Sequence, residues 1–414
     1  LVFGRLGDLL AERVLLGPEL FESTQRGPAR SIGLDRSING GGVVAAGDLG
    51  AADELGLVAK KGEVDHPSSL GRALCESRRV NLMTKSTVLP GRAALVYNPI
   101  KVDEKRLRAS LRDRSSEAGW EAPSFYPTTI EDAGQQAARD ALATGVDVVL
   151  VAGGDGTVRA VAEAMAGTDV PLAIVPSGTG NLLARNLGLP LLDPDRMIRA
   201  ALGDFRHPID IGWATLTREN GDEDEHAFVV LAGMGLDAAM IANTRPDLKK
   251  SVGWIAYVDG AARSLPSAKP FRIVYQVDES RLHSTKVHSV LFANCGTLPA
   301  GIALIPAASI DDGAMDIAII QPAGPLGWLG VWRKIWWDNS VLRRFRAGRR
   351  VLQRRGKSAS VRYLRGKTSE VAPIAPTAIE LDGDEFGLAV RIRCRVADGA
   401  LLLALPEGHP VDDL

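Results

Sequence analysis

Cysteine is scarce in this 414-residue chain, with three thiols at Cys75, Cys295 and Cys394. They lie far apart, without metal-ligand spacing and without a disulfide framework, as expected in a reducing cytoplasm. Strong charge of one sign is also missing. Lysine and arginine total 49 against 50 aspartates and glutamates, a formal net charge of −1. That balance excludes a global field that would gather nucleic acid or anionic membrane, so such a partner must be met by a local patch. No run of about 18 apolar residues occurs, so no candidate membrane-spanning helix is present. Leu1-Val2-Phe3-Gly4-Arg5 does not follow the basic, apolar, small-residue order of a secretory signal. Aromatics make up only 5%, but apolar residues overall reach 45%, as in ordinary globular domains. At roughly 100–200 residues per domain, the length suits two.

What is present becomes orderly only after residue 90. Residues 1–90 carry a glycine run at Gly40, Gly41 and Gly42 and no sustained period of 2 or about 3.6 residues. They read as a weakly ordered extension, or as lying upstream of a start at Met83. Ala93–Tyr97 then reads as a strand ending in an Asn98-Pro99 turn. A charged helix follows over Val102–Ala118, then a short strand near Phe125. A helix is expected over Glu131–Ala143, with Thr128 as N-cap and Glu131 completing a capping box. Val146–Val151 has the apolar run of a buried parallel strand. It is followed by a helix over Val158–Ala166, a strand over Leu172–Val175, a loop and a further helix. This alternation predicts a doubly wound α/β nucleotide-binding domain over residues 91–204, with its site at the carboxyl ends of the strands. Beyond it, strand patterns dominate: Ile209–Ala214, His226–Leu231, Arg272–Val277, Lys286–Ala293, Met315–Ile320, Thr377–Leu381, Ala389–Cys394 and Leu401–Leu405. Helical stretches at Leu236–Asn243 and Leu248–Leu265 interrupt them. Residues 205–406 therefore read as a β-rich, sandwich-like second domain, with a cleft between the two; its last strands are candidates to return to the first domain.

Two loops carry the chemistry of phosphate. Gly153-Gly154-Asp155-Gly156-Thr157 leaves a strand and enters a helix. Glycine lets backbone approach a phosphate, and the free N–H groups of a helix start point at the anion. Asp155 would repel phosphate unless a metal ion or a hydroxyl accompanied it. It therefore points to Mg²⁺-nucleotide or to a ribose or substrate hydroxyl. One βα unit later, Pro176-Ser177-Gly178-Thr179-Gly180-Asn181 supplies a second such turn, with Arg185 one turn into the helix. Asn181 suits either a phosphate contact or a helix cap. The spacing is neither a Walker A loop nor a dinucleotide fingerprint.

Together, in this order and spacing, the two loops resemble the catalytic domain of diacylglycerol kinases and related bacterial lipid kinases, a pattern shared by sphingosine and ceramide kinases. The resemblance spans residues 92–406. It implies an ATP-dependent lipid kinase that uses Mg²⁺. Nucleotide contacts are then implied at Asn98, Gly153, Gly154, Gly156, Thr157, Ser177, Gly178, Thr179 and Asn181. The family's Ser-Gly after Asn-Pro is absent here, where Ile100-Lys101-Val102 follows Pro99. Gly233-Met234-Gly235-Leu236-Asp237-Ala238 resembles a cleft-lining segment, with a plain glycine turn capped by Asp237 as the alternative. Ile310-Asp311-Asp312-Gly313-Ala314 resembles a loop that holds a structural Mg²⁺ through Asp312 and the Ala314 carbonyl; the family's third ligand position is Ser309 in this chain. Leu381-Asp382-Gly383-Asp384 resembles the family's Asp-Gly-Glu turn. Asp382 is the implied general base, Asp384 the implied holder of the catalytic magnesium, and Asp155 positions Mg-ATP or assists the base.

A lipid substrate needs a membrane-facing surface. Trp328, Trp332 and Trp336 recur at helical spacing, and ten basic residues lie between Arg333 and Lys357 against Asp338 alone. Tryptophan favours the bilayer interface, and each basic residue adds on the order of 1 kcal/mol near anionic lipid. This predicts a peripheral enzyme at the inner face of the membrane that docks through Trp328–Lys357. A core helix with a solvated basic tail is the plain alternative. No nucleic-acid motif accompanies the charges. An NAD kinase-like activity and a nucleotide-binding regulator without catalysis are the rival readings. Which lipid is used stays open, as does oligomeric state, a homodimer included.

Overall fold

The computed structural model describes residues 90–235, 270–298, 302–305, 307–322 and 360–411. The expected extension, the helical stretches Leu236–Asn243 and Leu248–Leu265, the Asp237 portion of the glycine segment and Trp328–Lys357 lie outside those residues.

The first half is a parallel layer with helices between its strands. Its strands are β1 (Ala93–Tyr97), β2 (Ser124–Pro127), β3 (Val148–Gly153) and β4 (Leu172–Pro176), arranged β2-β1-β3-β4. The helices are α1 (Glu104–Glu117), α2 (Gln135–Ala143), α3 (Asp155–Met165), α4 (Leu182–Asn186) and α5 (Pro194–Leu202). Every residue of β1, β3 and β4 is buried. Helices α3 and α5 both pack on β3, which is why these strands are continuous apolar runs rather than alternating ones. Fully burying each Val, Leu or Ile contributes about 1.5–3 kcal/mol.

Local chemistry sets the helix starts. Asp103 and Asp193 cap α1 and α5 by accepting the N–H groups of Arg106 and Arg196 at 3.1 and 3.0 Å. The expected capping box at Thr128 is not formed, and α2 begins at Gln135 rather than Glu131. The Thr129 hydroxyl instead accepts from Glu131 and Asp132, closing a turn. Asp132 then accepts from Gly134, Gln136 and Ala137, each at 3.0 Å. Burial works against the Asp132 charge, but these backbone bonds outweigh it and hold its carboxyl below the usual range. Helix α3 likewise opens at Asp155, three residues before the expected Val158, with Gly154 as N-cap.

The second half is built of β5 (Arg206–Thr217), β6 (Glu223–Phe228), β7 (Leu231–Met234), β8 (Phe271–Val277), β9 (His283–Val287), β10 (Ser289–Ala293), β11 (Thr297–Leu298), β12 (Ile302–Ala303), β13 (Met315–Ile320), β14 (Val361–Gly366), β15 (Thr368–Pro373), β16 (Thr377–Leu381), β17 (Asp384–Ala389) and β18 (Arg391–Ala404). The order β14-β13-β10-β7-β16-β17 makes a six-stranded antiparallel sheet. It faces the β5, β8, β15 and β18 region across a core that includes Phe228, Met234, Ile273, Phe292, Ile317, Val371 and Ile392. The expected strand Lys286–Ala293 divides at His288 into β9 and β10, which join different sheets. The expected strands Ala389–Cys394 and Leu401–Leu405 are one strand, β18, interrupted by a bulge between Ala397 and Leu401. Its far end pairs parallel with β4 through Leu403 and Leu172, so one ten-stranded sheet runs through both halves. Among the described residues, no helix is long and apolar enough to cross a membrane.

Candidate active site

The carboxyl ends of β3 and β4 lie side by side, with Gly153 opposite Pro176. Their loops therefore touch. A Cβ on Gly178 would stand 2.7 Å from the Gly154 Cα, so only glycine allows this approach. Asn181 has φ +48°, and its side chain accepts from the Gly178 N–H at 2.9 Å and donates to the Gly178 carbonyl at 2.8 Å. Asn181 thus shapes the loop and does not cap α4 with its side chain. Asp155 ties the two loops together by accepting the Leu182 N–H at 2.5 Å. Burial raises its carboxyl, the N–H groups of Leu182 and Asn181 lower it, and nearby Asp384 adds to the rise. Thr157 is buried against Gly153, whereas Thr179 is exposed. The Ser177 hydroxyl donates to the Val175 carbonyl at 3.0 Å. Asn98 joins this edge through its N–H, which donates to the Ala152 carbonyl at 2.8 Å.

A second component comes from the antiparallel half. Asp382 and Gly383 form the two-residue turn between β16 and β17, with φ +51° and +92°, as a tight hairpin of the primed type requires. Asp382 is 4% exposed. Its Oδ2 accepts the Val229 N–H at 2.8 Å, and its Oδ1 accepts those of Val230 and Leu231 at 2.8 and 2.9 Å. Burial pushes its carboxyl up to about 6, against the pull of these three N–H groups and of Arg159. Cys295, buried beside it, has its thiol pushed up by burial and then by the Asp382 charge.

Asp384 lies on the open side of the same turn, its side chain 49% exposed. A Cβ on Gly156 would stand 2.6 Å from the Asp384 Oδ2, so the acid turn meets the first turn of α3. Asp155 and Asp384 therefore approach from the two halves of the chain, near enough for the Asp384 charge to raise the Asp155 carboxyl. Mg²⁺ is commonly held by one or two carboxylates together with nucleotide phosphates, and this pair fits that role.

The Asp312 loop is held by ion pairs and backbone bonds. Arg365 forms an ion pair with Asp312, and the other Asp312 oxygen accepts the Ala314 N–H at 3.2 Å. The Ser309 hydroxyl donates to Asp311 at 2.9 Å, and Asp311 meets His207 at 3.0 Å. Asp210 takes the N–H groups of Gly313 and Gly399 at 2.7 and 2.8 Å, packing the loop on β5 and β18. Among the described residues no group of three or more His, Cys, Asp or Glu side chains could hold a metal ion. Arg365 thus pairs with Asp312, the residue to which the resemblance gives a structural magnesium together with the Ala314 carbonyl.

Two residues at the meeting of the halves escaped sequence reasoning. Arg159, buried, and Glu163, partly buried, lie one turn apart on α3 against the acid turn and β6. The available signal was a charged pair set among Val158, Ala160, Val161 and Ala162 directly after a phosphate-type turn.

Comparison with known proteins matches two stretches of the chain. Residues 92–214 match the family model described as the diacylglycerol kinase catalytic domain. Residues 229–404 match the one described as the YegS C-terminal NAD kinase beta sandwich-like domain. The chain is 30% identical over 330 residues to the "Probable lipid kinase YegS-like" of Pseudomonas fluorescens, covering 77% of this chain and 97% of that one. It is 29% identical over 236 residues to the diacylglycerol kinase of Bacillus subtilis, covering 56% and 74%. A crystal structure described as a diacylglycerol kinase from Bacillus anthracis shares the fold, with a TM-score of 0.52 at 17% identity over 77% of this chain and 98% of that one.

Proposed function

The chain belongs to the family of diacylglycerol kinase-like lipid kinases, and we propose that it transfers the γ-phosphate of ATP to a lipid hydroxyl. Diacylglycerol is the first candidate acceptor, giving phosphatidic acid. The observation that carries this reading is the meeting of two glycine-rich loops with an acid turn from the opposite half, where Asp384 stands beside Gly156.

The N–H groups at the start of α3 and in the Ser177–Asn181 loop favour the phosphate oxygens. Mg²⁺, when bound with ATP, screens phosphate charge, and Asp155 and Asp384 are the side chains that would hold it. Asp382 is the proposed base. The acceptor oxygen bonds to the γ-phosphorus, the bond to the ADP oxygen breaks, and the hydroxyl proton passes to a carboxylate. A carboxyl raised to about 6 by burial suits proton acceptance near neutral pH. Three N–H groups occupy Asp382, and the second lone pair of Oδ2 is where the hydroxyl would approach. One observation favours a second reading. Asp384 is far more exposed than Asp382, which suits direct contact with the hydroxyl and would leave Asp382 to fix the turn. Asp382→Asn and Asp384→Asn separate the two: the base variant loses kcat, and the metal-holding variant chiefly raises KM for Mg-ATP.

The Trp328–Lys357 segment is the proposed contact with anionic membrane at the inner face. Changing Arg343, Arg344, Arg346, Arg349 and Arg350 to Glu is expected to weaken sedimentation with anionic vesicles, and unchanged binding would remove that part of the reading.

The test of the activity is label transfer from γ-labelled ATP with Mg²⁺. The acceptors are diacylglycerol, a sphingoid base, ceramide and a glycosylated lipid in mixed micelles, with NAD alongside. Label in an extractable lipid supports the kinase and identifies its acceptor. Label on NAD alone moves the chain to the NAD kinase reading, and bound ATP without any transfer favours a regulator.

A further inference from the structure

Arg159 is a cation placed where water scarcely reaches, at 5% exposure. Burying a charge is costly unless other groups compensate it, and here the compensation comes from three directions. Nη1 lies 3.5 Å from the Glu163 Oε2 one turn along α3. Nη2 lies 3.7 Å from the Asp384 Oδ2 on β17. The guanidinium rests over the Phe386 ring, 4.7 Å from its centroid. Glu163 in turn accepts the Ala227 N–H of β6 at 2.8 Å. Among the described residues Nε and Nη1 have no hydrogen-bond partner, although both are buried. The ionisable groups around this guanidinium are therefore Glu163, Asp384 and, within its field, Asp382.

Resting on the kinase reading above, we propose that Arg159 is a positioning residue for phosphoryl transfer: it holds the Asp384 carboxylate beside Gly156 and so fixes the acid turn against the phosphate loop. The choice of arginine follows from shape. A planar guanidinium lies on Phe386 with its flat face while its edge meets two carboxylates. A lysine ammonium is a point charge and cannot do both. The position of Arg159 on α3 matters equally, because the same helix begins with Asp155 and Gly156. Any force on the arginine is thus passed directly to the turn that faces phosphate. Glu163 anchors the other side of the cation to β6, whose chain runs on to the Val229–Leu231 N–H groups that hold Asp382.

The test is a double-mutant cycle with Arg159→Gln and Asp384→Asn, joined by Arg159→Lys. Each variant is checked first by urea unfolding, then assayed for kcat and for KM of Mg-ATP and lipid. Arg159→Gln is expected to lower kcat/KM for Mg-ATP by about tenfold or more with the lipid KM within about threefold, and Arg159→Lys to restore only part of the loss. In the Asp384→Asn background, Arg159→Gln should cost less than about threefold, because the group it positions is already neutral. Equal losses in both backgrounds, or an unchanged kcat/KM for Mg-ATP in Arg159→Gln, would overturn the proposal. Absence of transfer by the unmutated chain would count against the kinase reading instead. The unfolding cycle then decides the contact: a coupling of about threefold or more in the unfolding constant retains it, and strict additivity removes it.

Discussion

In the parallel half, the residues that would face phosphate are close in sequence. Gly153–Asp155 leave β3, Ser177–Asn181 leave β4, and the loops touch because Gly178 lies on Gly154. In the antiparallel half they are distant. Asp382 takes its first N–H donor from Val229, 153 residues earlier, and Arg159 reaches Asp384 across a still longer separation. The parallel half works through backbone shape, with glycines that let the two loops approach each other. The antiparallel half works through placed charge, with carboxylates held by long-range contacts, one of them to Arg159 on α3 of the parallel half. Loop shape and the Asp382 charge should therefore fail differently: damage to the first removes nucleotide binding, and loss of the second removes transfer.

The largest effect expected is on the charge side. Asp382→Asn should lower kcat by about 10³-fold, within the range for loss of a general base, with secondary structure by circular dichroism unchanged. Next comes shape. Gly178→Ala would press a methyl group onto backbone, so KM for ATP should rise about 100-fold, read by steady-state assay. Asp316 gives a test away from the chemistry. Its Oδ2 is buried without a hydrogen-bond partner among the described residues, and burial raises its carboxyl to about 6, with Arg365 lowering it and Asp312 raising it. A folded-state value above the unfolded value of about 3.8 means that the native chain binds the extra proton between those two pH values. Its contribution to stability therefore falls as pH rises from about 4 to about 6 and stays low above. Asp316→Asn should stabilise the chain by about 1–3 kcal/mol at pH 8 and by little near pH 3.5, measured by urea unfolding at both. The smallest effect is at α2. Asp132→Ala should cost about 1 kcal/mol of stability, the usual loss on removing a helix-start acceptor, and leave kcat unchanged.

The same division governs what the sequence makes legible. The parallel layer could be read almost strand by strand, because continuous apolar runs bounded by glycine turns are local signals. Asp155, Gly156 and the Ser177–Asn181 loop lie together as their spacing implies. Helix starts were less legible. Thr128 and Glu131 have the letters of a capping box, yet Thr129 and Asp132 make the bonds. In the antiparallel half, β14, β15 and β17 went unread, since short alternating strands have weak periods and pair with remote partners. The burial of Asp382 in three N–H groups and the pairing of Arg365 with Asp312 have no local signature. Arg159 was visible as a charge among apolar residues, but its partner could be found only in the fold.

The division is tested most directly by calorimetric titration of Mg-ATP into Asp382→Asn and Gly178→Ala side by side with the unmutated chain. The account predicts that Asp382→Asn binds within about threefold of the unmutated chain, while Gly178→Ala binds at least about 100-fold more weakly. Equal weakening in both, or tight binding by Gly178→Ala, would contradict it.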